Sequence, residues 1–100
     1  MDASDLARIG EMERALNACA AAAEALNGQL DHMDALRESM TALFRYYGSD
    51  DWYRDREAEL PPGTAAGVLS EDAVYDVITA LRDAAFHMLE LATDILKNRI

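Results

Sequence analysis

Asp83, His87, Glu90 and Asp94 stand at i, i+4, i+7 and i+11, a spacing that lines them along one side of a helix. Carboxylates and an imidazole in such a row are the donor types of a carboxylate–histidine metal site. Bundle sites of that kind place Glu-x-x-His pairs inward from two helices and a further Glu from two more. Here Asp83 and His87 are four apart rather than three, and the row lies outside the apolar face of its segment. Upstream, Glu11, Glu13, Glu24, Asp31, Asp34 and Glu38 include no Glu-x-x-His. The row therefore reads as a solvated acidic face in which His87 pairs with Asp83. His32, flanked by Asp31 and Asp34, reads as a surface group. A magnesium-dependent nucleotide pyrophosphatase needs Glu-x-x-Glu and Glu-x-x-Asp pairs, and neither is present; Glu57 and Glu59 point to different faces. There is no Gly-rich phosphate loop, Ser-His-Asp set or basic aromatic patch. The expectation is a protein with no catalytic residues, no metal site and no cofactor.

The residues that invite a binding function are aromatic. Tyr46, Tyr47, Trp52 and Tyr53 hold four of the seven aromatic side chains within eight residues. Trp and Tyr dominate the energetics of protein interfaces, so these are candidate partner-binding residues. The alternative is that they fill the corner between the first and second helices, and both hold if one ring is exposed. Phe86 lies off the main apolar stripe of its segment, near Leu89 and Thr93, and joins the candidates: it either meets a second copy of the chain or the second helix. Tyr75 is placed to reach a carboxylate on the first or second helix, or to orient the start of the third. Cys19 is the only cysteine, which excludes an intramolecular disulfide. It lies on an apolar seam and is expected to be buried as a small apolar side chain.

These residues must be positioned by helices. Ile9, Met12, Leu16, Cys19, Ala23, Leu26, Leu30 and Met33 are spaced 3,4,3,4,3,4,3, a strict heptad seam. Arg37 breaks the next position, and Leu36, Met40, Leu43, Phe44 and Tyr47 carry the stripe on, rotated around the helix. Ser4 or Asp2 can cap the start, with Asp5 in the first turn, and Gly48 is a stop. Asn27-Gly28 costs about 1–2 kcal/mol relative to alanines. The seam stays in phase across the pair, so a single helix is expected over about 5–47, roughly 65 Å long.

A second, short helix is expected over 50–60, capped by Ser49, with Asp50 and Asp51 in its first turn and Pro61-Pro62-Gly63 ending it. Thr64 to Gly67 reads as a loop. A third helix over 71–98 is capped by Ser70, with Leu69 able to staple onto Val74. Val74, Leu81, Met88 and Ile95 repeat every seven residues beside the rows of Val77, Ala84 and Leu91 and of Ile78, Ala85 and Ala92. Such a wide apolar face is typical of a helix buried in a bundle. The expected fold is all-α: one helical domain over 1–100, with the long N-terminal helix antiparallel to the C-terminal helix and a short helix between them. The long helix exceeds the C-terminal one by roughly 22 Å. A seam left uncovered in water is unfavourable, so a homodimer is expected.

Composition agrees. The chain has 100 residues with 19 Ala and 12 Leu, good helix formers, and few β-branched residues. Its 9 basic against 19 acidic residues give a net charge of −10. That charge repels phosphate backbones and anionic membrane surfaces, so neither direct nucleic-acid binding nor a membrane partner is expected. The opening Met1-Asp2-Ala3-Ser4-Asp5 has no basic-then-apolar leader, and no apolar run spans a bilayer. A cytoplasmic location is expected.

Two stretches carry a resemblance: Tyr46-Tyr47-Gly48-Ser49-Asp50-Asp51-Trp52, and Gly67-Val68-Leu69-Ser70-Glu71-Asp72-Ala73-Val74-Tyr75-Asp76. With Arg8-Ile9 and the run from Met88 to Asn98, they resemble the DUF4298 family, small bacterial helical proteins of unassigned function. The resemblance implies a stand-alone bacterial protein and brings no catalytic residues. The functional expectation is a protein-interaction or structural module. A metal-dependent hydrolase working through the acidic faces is a second reading. A nucleic-acid mimic occupying a DNA-binding protein is a third, motivated by charge alone.

Overall fold

Asp2 starts the first helix. Its carboxylate accepts the Asp5 backbone N–H at 2.9 Å, and the Asp5 carboxylate accepts the Asp2 N–H in return at 3.4 Å. This reciprocal capping box satisfies two N–H groups that the first turn leaves without partners. The computed structural model describes residues 1–100. Helix α1 runs Ala3–Ala35. It passes through Asn27-Gly28 without interruption, and a Cβ built on Gly28 meets nothing within 4 Å.

The single helix expected over 5–47 is instead two, and the break falls at Leu36, not at Asn27-Gly28. Leu36 adopts φ −93°, ψ 0° and donates its N–H to Met33 O at 3.1 Å, a bond to the third preceding residue rather than the fourth. The turn tightens there. Helix α2 (Arg37–Tyr46) follows at once, with Met40 N–H on Leu36 O at 2.9 Å. The break coincides with the point where the heptad seam reaches Arg37. An ion pair from Arg37 to Asp34, 2.9 Å long, straddles it.

Gly48 ends α2 as expected. It takes φ +78°, the left-handed conformation that glycine tolerates best. Ser49 then caps helix α3 (Asp50–Glu57) by accepting the Trp52 N–H at 3.2 Å. This helix stops three residues short of the expected 60, with Ala58 extended at φ −71°, ψ 145°. Leu60 precedes Pro61, whose ring disfavours helix in the residue before it, so no further turn can close. Pro61 to Thr64 forms a turn closed by Thr64 N–H on Pro61 O at 3.2 Å, with Gly63 at φ +83°. Proline then glycine in the middle is the type II signature.

Part of the expected loop winds into a short 3-10 helix, Gly67–Leu69. Ser70 caps helix α4 (Glu71–Leu96) through the Ala73 N–H. The expected end at 98 moves to 96 because Asn98 turns left-handed at φ 54°. Arg99 N–H then bonds Asp94 O at 2.8 Å and Asn98 N–H bonds Ile95 O at 3.2 Å, the paired bonds of a Schellman cap.

Four helices and no strand make the fold all-α. The chain divides into two compact units, Met1–Met40 and Thr41–Ile100. In the first, no residue of α1 is buried. The expectation of a buried Cys19 is overturned: its thiol is free and exposed. That unit consists of α1 and the first turn of α2, so nothing within it covers the seam. Alanines 18 and 20–23 also surround α1 on several faces, so the seam is marked by side-chain size more than by polarity. In the second unit Trp52 and Val74 are the buried residues. Ile78 and Leu81 are half-buried, but Val77, Met88, Leu91 and Ile95 are exposed. The wide face of α4 is thus packed over its first three turns only, a correction to the reading of a helix buried along its length.

Candidate functional site

The second unit is built around one aromatic corner. The left-handed turn at Gly48 and the cap at Ser49 set the start of α3 just after the end of α2. The Ser49 hydroxyl donates to Tyr46 O at 2.6 Å while accepting the Trp52 N–H, so one side chain ties both helix ends. Trp52, in the first turn of α3, is 3% exposed. Its indole N–H needs a partner when buried. It donates to Val68 O at 2.9 Å, in the 3-10 helix before α4. Tyr47 and Tyr53 meet the indole edge-to-face, each with ring centroids 5.0 Å away. Arg56, one turn on, lies over the ring at 4.6 Å. Such ring pairs contribute about 0.5–1.5 kcal/mol beyond their burial, and a cation over a ring about as much.

Two phenols complete the corner. Tyr46 donates its hydroxyl to Asp55 Oδ2 at 2.5 Å. That bond to the carboxylate, with partial burial and the Asp55 charge, pushes the phenol up to about 12. Tyr47 donates to Glu71 O at 3.3 Å, at the start of α4. Partial burial, then the Glu71 carboxylate, raises its pKa as well. Both groups hold their protons more firmly than a free tyrosine. Neither is an acid or base for chemistry near neutrality.

The candidate residues separate in this geometry. Tyr46, Tyr47, Trp52 and Tyr53 come together, with Trp52 inside and Tyr53 56% exposed. Phe86 is 67% exposed on α4 and takes no part in the aromatic pairs. Tyr75 is 59% exposed and makes no hydrogen bond. The phenol-to-carboxylate bond considered for it belongs to Tyr46. His87 forms no ion pair with Asp83; the four ion pairs are Arg8–Asp5, Arg37–Asp34, Arg54–Asp51 and Arg99–Asp94. The expected pairing on that acidic face is therefore a correction, since both side chains stand free in water. No three His, Cys, Asp or Glu side chains converge as a metal site would require.

Three participants lie outside the sequence candidates. Arg56 stands four residues after Trp52, a helical neighbour whose contact the spacing allows. Asp55 and the Val68 carbonyl are brought in by tertiary folding, which no local pattern reports.

The model of the domain of unknown function DUF4298 matches residues 9–91. The chain belongs to the DUF4298 family. The match covers the whole corner, from Tyr46 through Glu71, and leaves out the Asp2 cap and the C-terminal Schellman turn. No curated protein and no solved structure matches the chain. In this DUF4298 protein the corner is thus a packed structural joint with one exposed ring, Tyr53, on its rim. No helix is long and apolar enough to cross a membrane.

Proposed function

We propose that this DUF4298 protein acts through contacts, as a bacterial cytoplasmic protein-interaction module without catalytic activity, and that its partners include a second copy of itself. One observation carries the reading: the chain buries two large apolar side chains, Trp52 and Val74, and leaves most of the others in water. In the second unit Tyr53, Tyr75, Phe86 and Leu89 are each more than half exposed. Exposed aromatic and aliphatic groups of this size are the anchors on which interfaces are built, and leaving them solvated is unfavourable. The rigid Trp52 joint supports the reading, because a pre-organised surface loses less entropy on binding. The acidic surface suits solubility and disfavours nucleic acid.

Affinity capture from the native host tests this, comparing the wild-type protein with Tyr53→Ser and Phe86→Ser. Partners retained by the wild type and lost by either variant, with Trp52 emission unchanged, are the expected result. Identical captured sets for all three proteins would remove these two residues as anchors.

A further inference from the structure

The geometry points to a specific occupant for the seam of α1: the same seam of a second copy, running antiparallel and centred at the level of Ala20 to Ala22. This deepens the interaction reading above and rests on it.

The strict 3,4 spacing from Ile9 to Met33 keeps a stripe facing a neighbouring helix only when the two helices coil around each other. Met12 is 56% exposed, Leu16 60% and Leu26 51%. In its own unit nothing lies over them. The seam also reads the same from both ends. Turned end for end on itself, it sets Leu16 against Leu26, Met12 against Leu30, Ile9 against Met33, and small Cys19 against small Ala23. Large meets large and small meets small, in the isologous pairing that a two-fold axis generates.

The charges at the seam's ends choose the direction. Asp5 binds Arg8 at 2.9 Å at one end, and Asp34 binds Arg37 at 2.9 Å at the other. Both pairs read acid then base along the chain. In the antiparallel register Asp5 comes level with Arg37 of the second copy, both on seam positions, so an acid faces a base at each end of the dimer. In a parallel, in-register pair, Asp5 would face Asp5 and Arg37 would face Arg37. Like charges placed opposite each other are unfavourable, and more so for a chain of net charge −10. The ion pair across the Leu36 break keeps Arg37 beside Asp34, where this arrangement requires it.

Cysteine cross-linking reads the direction. The wild-type chain carries Cys19 alone. A tagged Cys19→Ala, Ala23→Cys double variant carries the other half of the antiparallel layer. Mixed and treated with diamide, which is reduced to the hydrazine as two thiols join, they are expected to give disulfides between the two kinds of chain. In the antiparallel register two Cys19 groups are offset by four residues, about 6 Å along the axis. That is too far for the Cβ separation of about 4 Å that a disulfide needs. Wild type alone should therefore stay uncross-linked while sedimenting as a dimer. Leu16→Glu should sediment as a monomer at every concentration where the wild type is dimeric. Its Trp52 emission should be unchanged, because Trp52 is packed by Tyr47, Tyr53, Arg56 and Val68 of its own unit.

Disulfides only between like chains would mean a parallel pair and overturn the proposal. So would a wild-type monomer at all concentrations, including one whose melting is lowered by Leu16→Glu, which would mean that the seam is covered within its own chain. The broader interaction reading fails separately, when the wild-type chain captures no partner, and its anchors fail when Tyr53→Ser and Phe86→Ser lose none.

Discussion

In the first unit a helix of 33 residues buries no side chain; in the second, a helix of eight residues holds Trp52 at 3% exposure. The long helix rests on local physics. Its alanines have the highest helix propensity, and its start is closed by a reciprocal Asp2–Asp5 cap. The short helix is below the length at which an isolated peptide holds helix in water. It exists because Ser49 caps it, Trp52 anchors it and Val68 accepts the indole proton. One segment is a helix waiting for a surface, and the other is the surface that makes a helix.

The contrast is broken most severely by Trp52→Ala. Truncating a buried Trp costs about 3–5 kcal/mol. Urea titration followed by hydrogen exchange should show residues 41–100 losing protection while 3–33 keep theirs; a uniform loss would mean that the units share one fate. Gly48→Ala is next. The left-handed φ of +78° is expected to cost a residue with a Cβ about 1–2 kcal/mol, seen as a lower urea midpoint for the second unit alone. Gly28→Ala sharpens the contrast from the other side. The site is open and helical, so the change should add about 1 kcal/mol to α1, read as slower amide exchange there, with no effect on Trp52 emission.

The smallest effect depends on pH. The Tyr46 phenol is raised from 10 to about 12, so its proton is held more tightly in the folded protein than in the unfolded chain. Its contribution to stability is complete below pH 10 and is lost as pH climbs from 10 through about 12. Tyr46→Phe should flatten that alkaline decline in the melting temperature. An unchanged slope would show that the Asp55 bond does not couple to folding.

What could be read from the sequence follows the same division. Caps and stops are local chemistry, and Asp2, Gly48, Ser49 and Ser70 all act where their residue types suggest. The break at Leu36 is half visible in the sequence, since the seam falters at Arg37, but the pattern allows a rotated stripe on one continuous helix. Cys19 and the later turns of α4 are exposed where burial is expected, because periodicity tells which face is apolar, not whether anything covers it. The corner is legible as a cluster from Tyr46, Tyr47, Trp52 and Tyr53. Its fastening is not, because Val68 lies 16 residues from Trp52 and only the folded chain brings its carbonyl to the indole.

The uninterrupted passage of α1 through Asn27-Gly28 has a chemical consequence for the ageing of the protein. In a mobile chain, the glycine nitrogen after an asparagine attacks the side-chain amide, releases ammonia and leaves a succinimide that hydrolyses to aspartate or isoaspartate. Helical dihedrals hold that nitrogen away from the amide, so the reaction proceeds only while this stretch is unwound. Slow accumulation of acid at position 27 in stored protein is therefore a clock for the opening of α1. Whatever covers the seam will slow that clock.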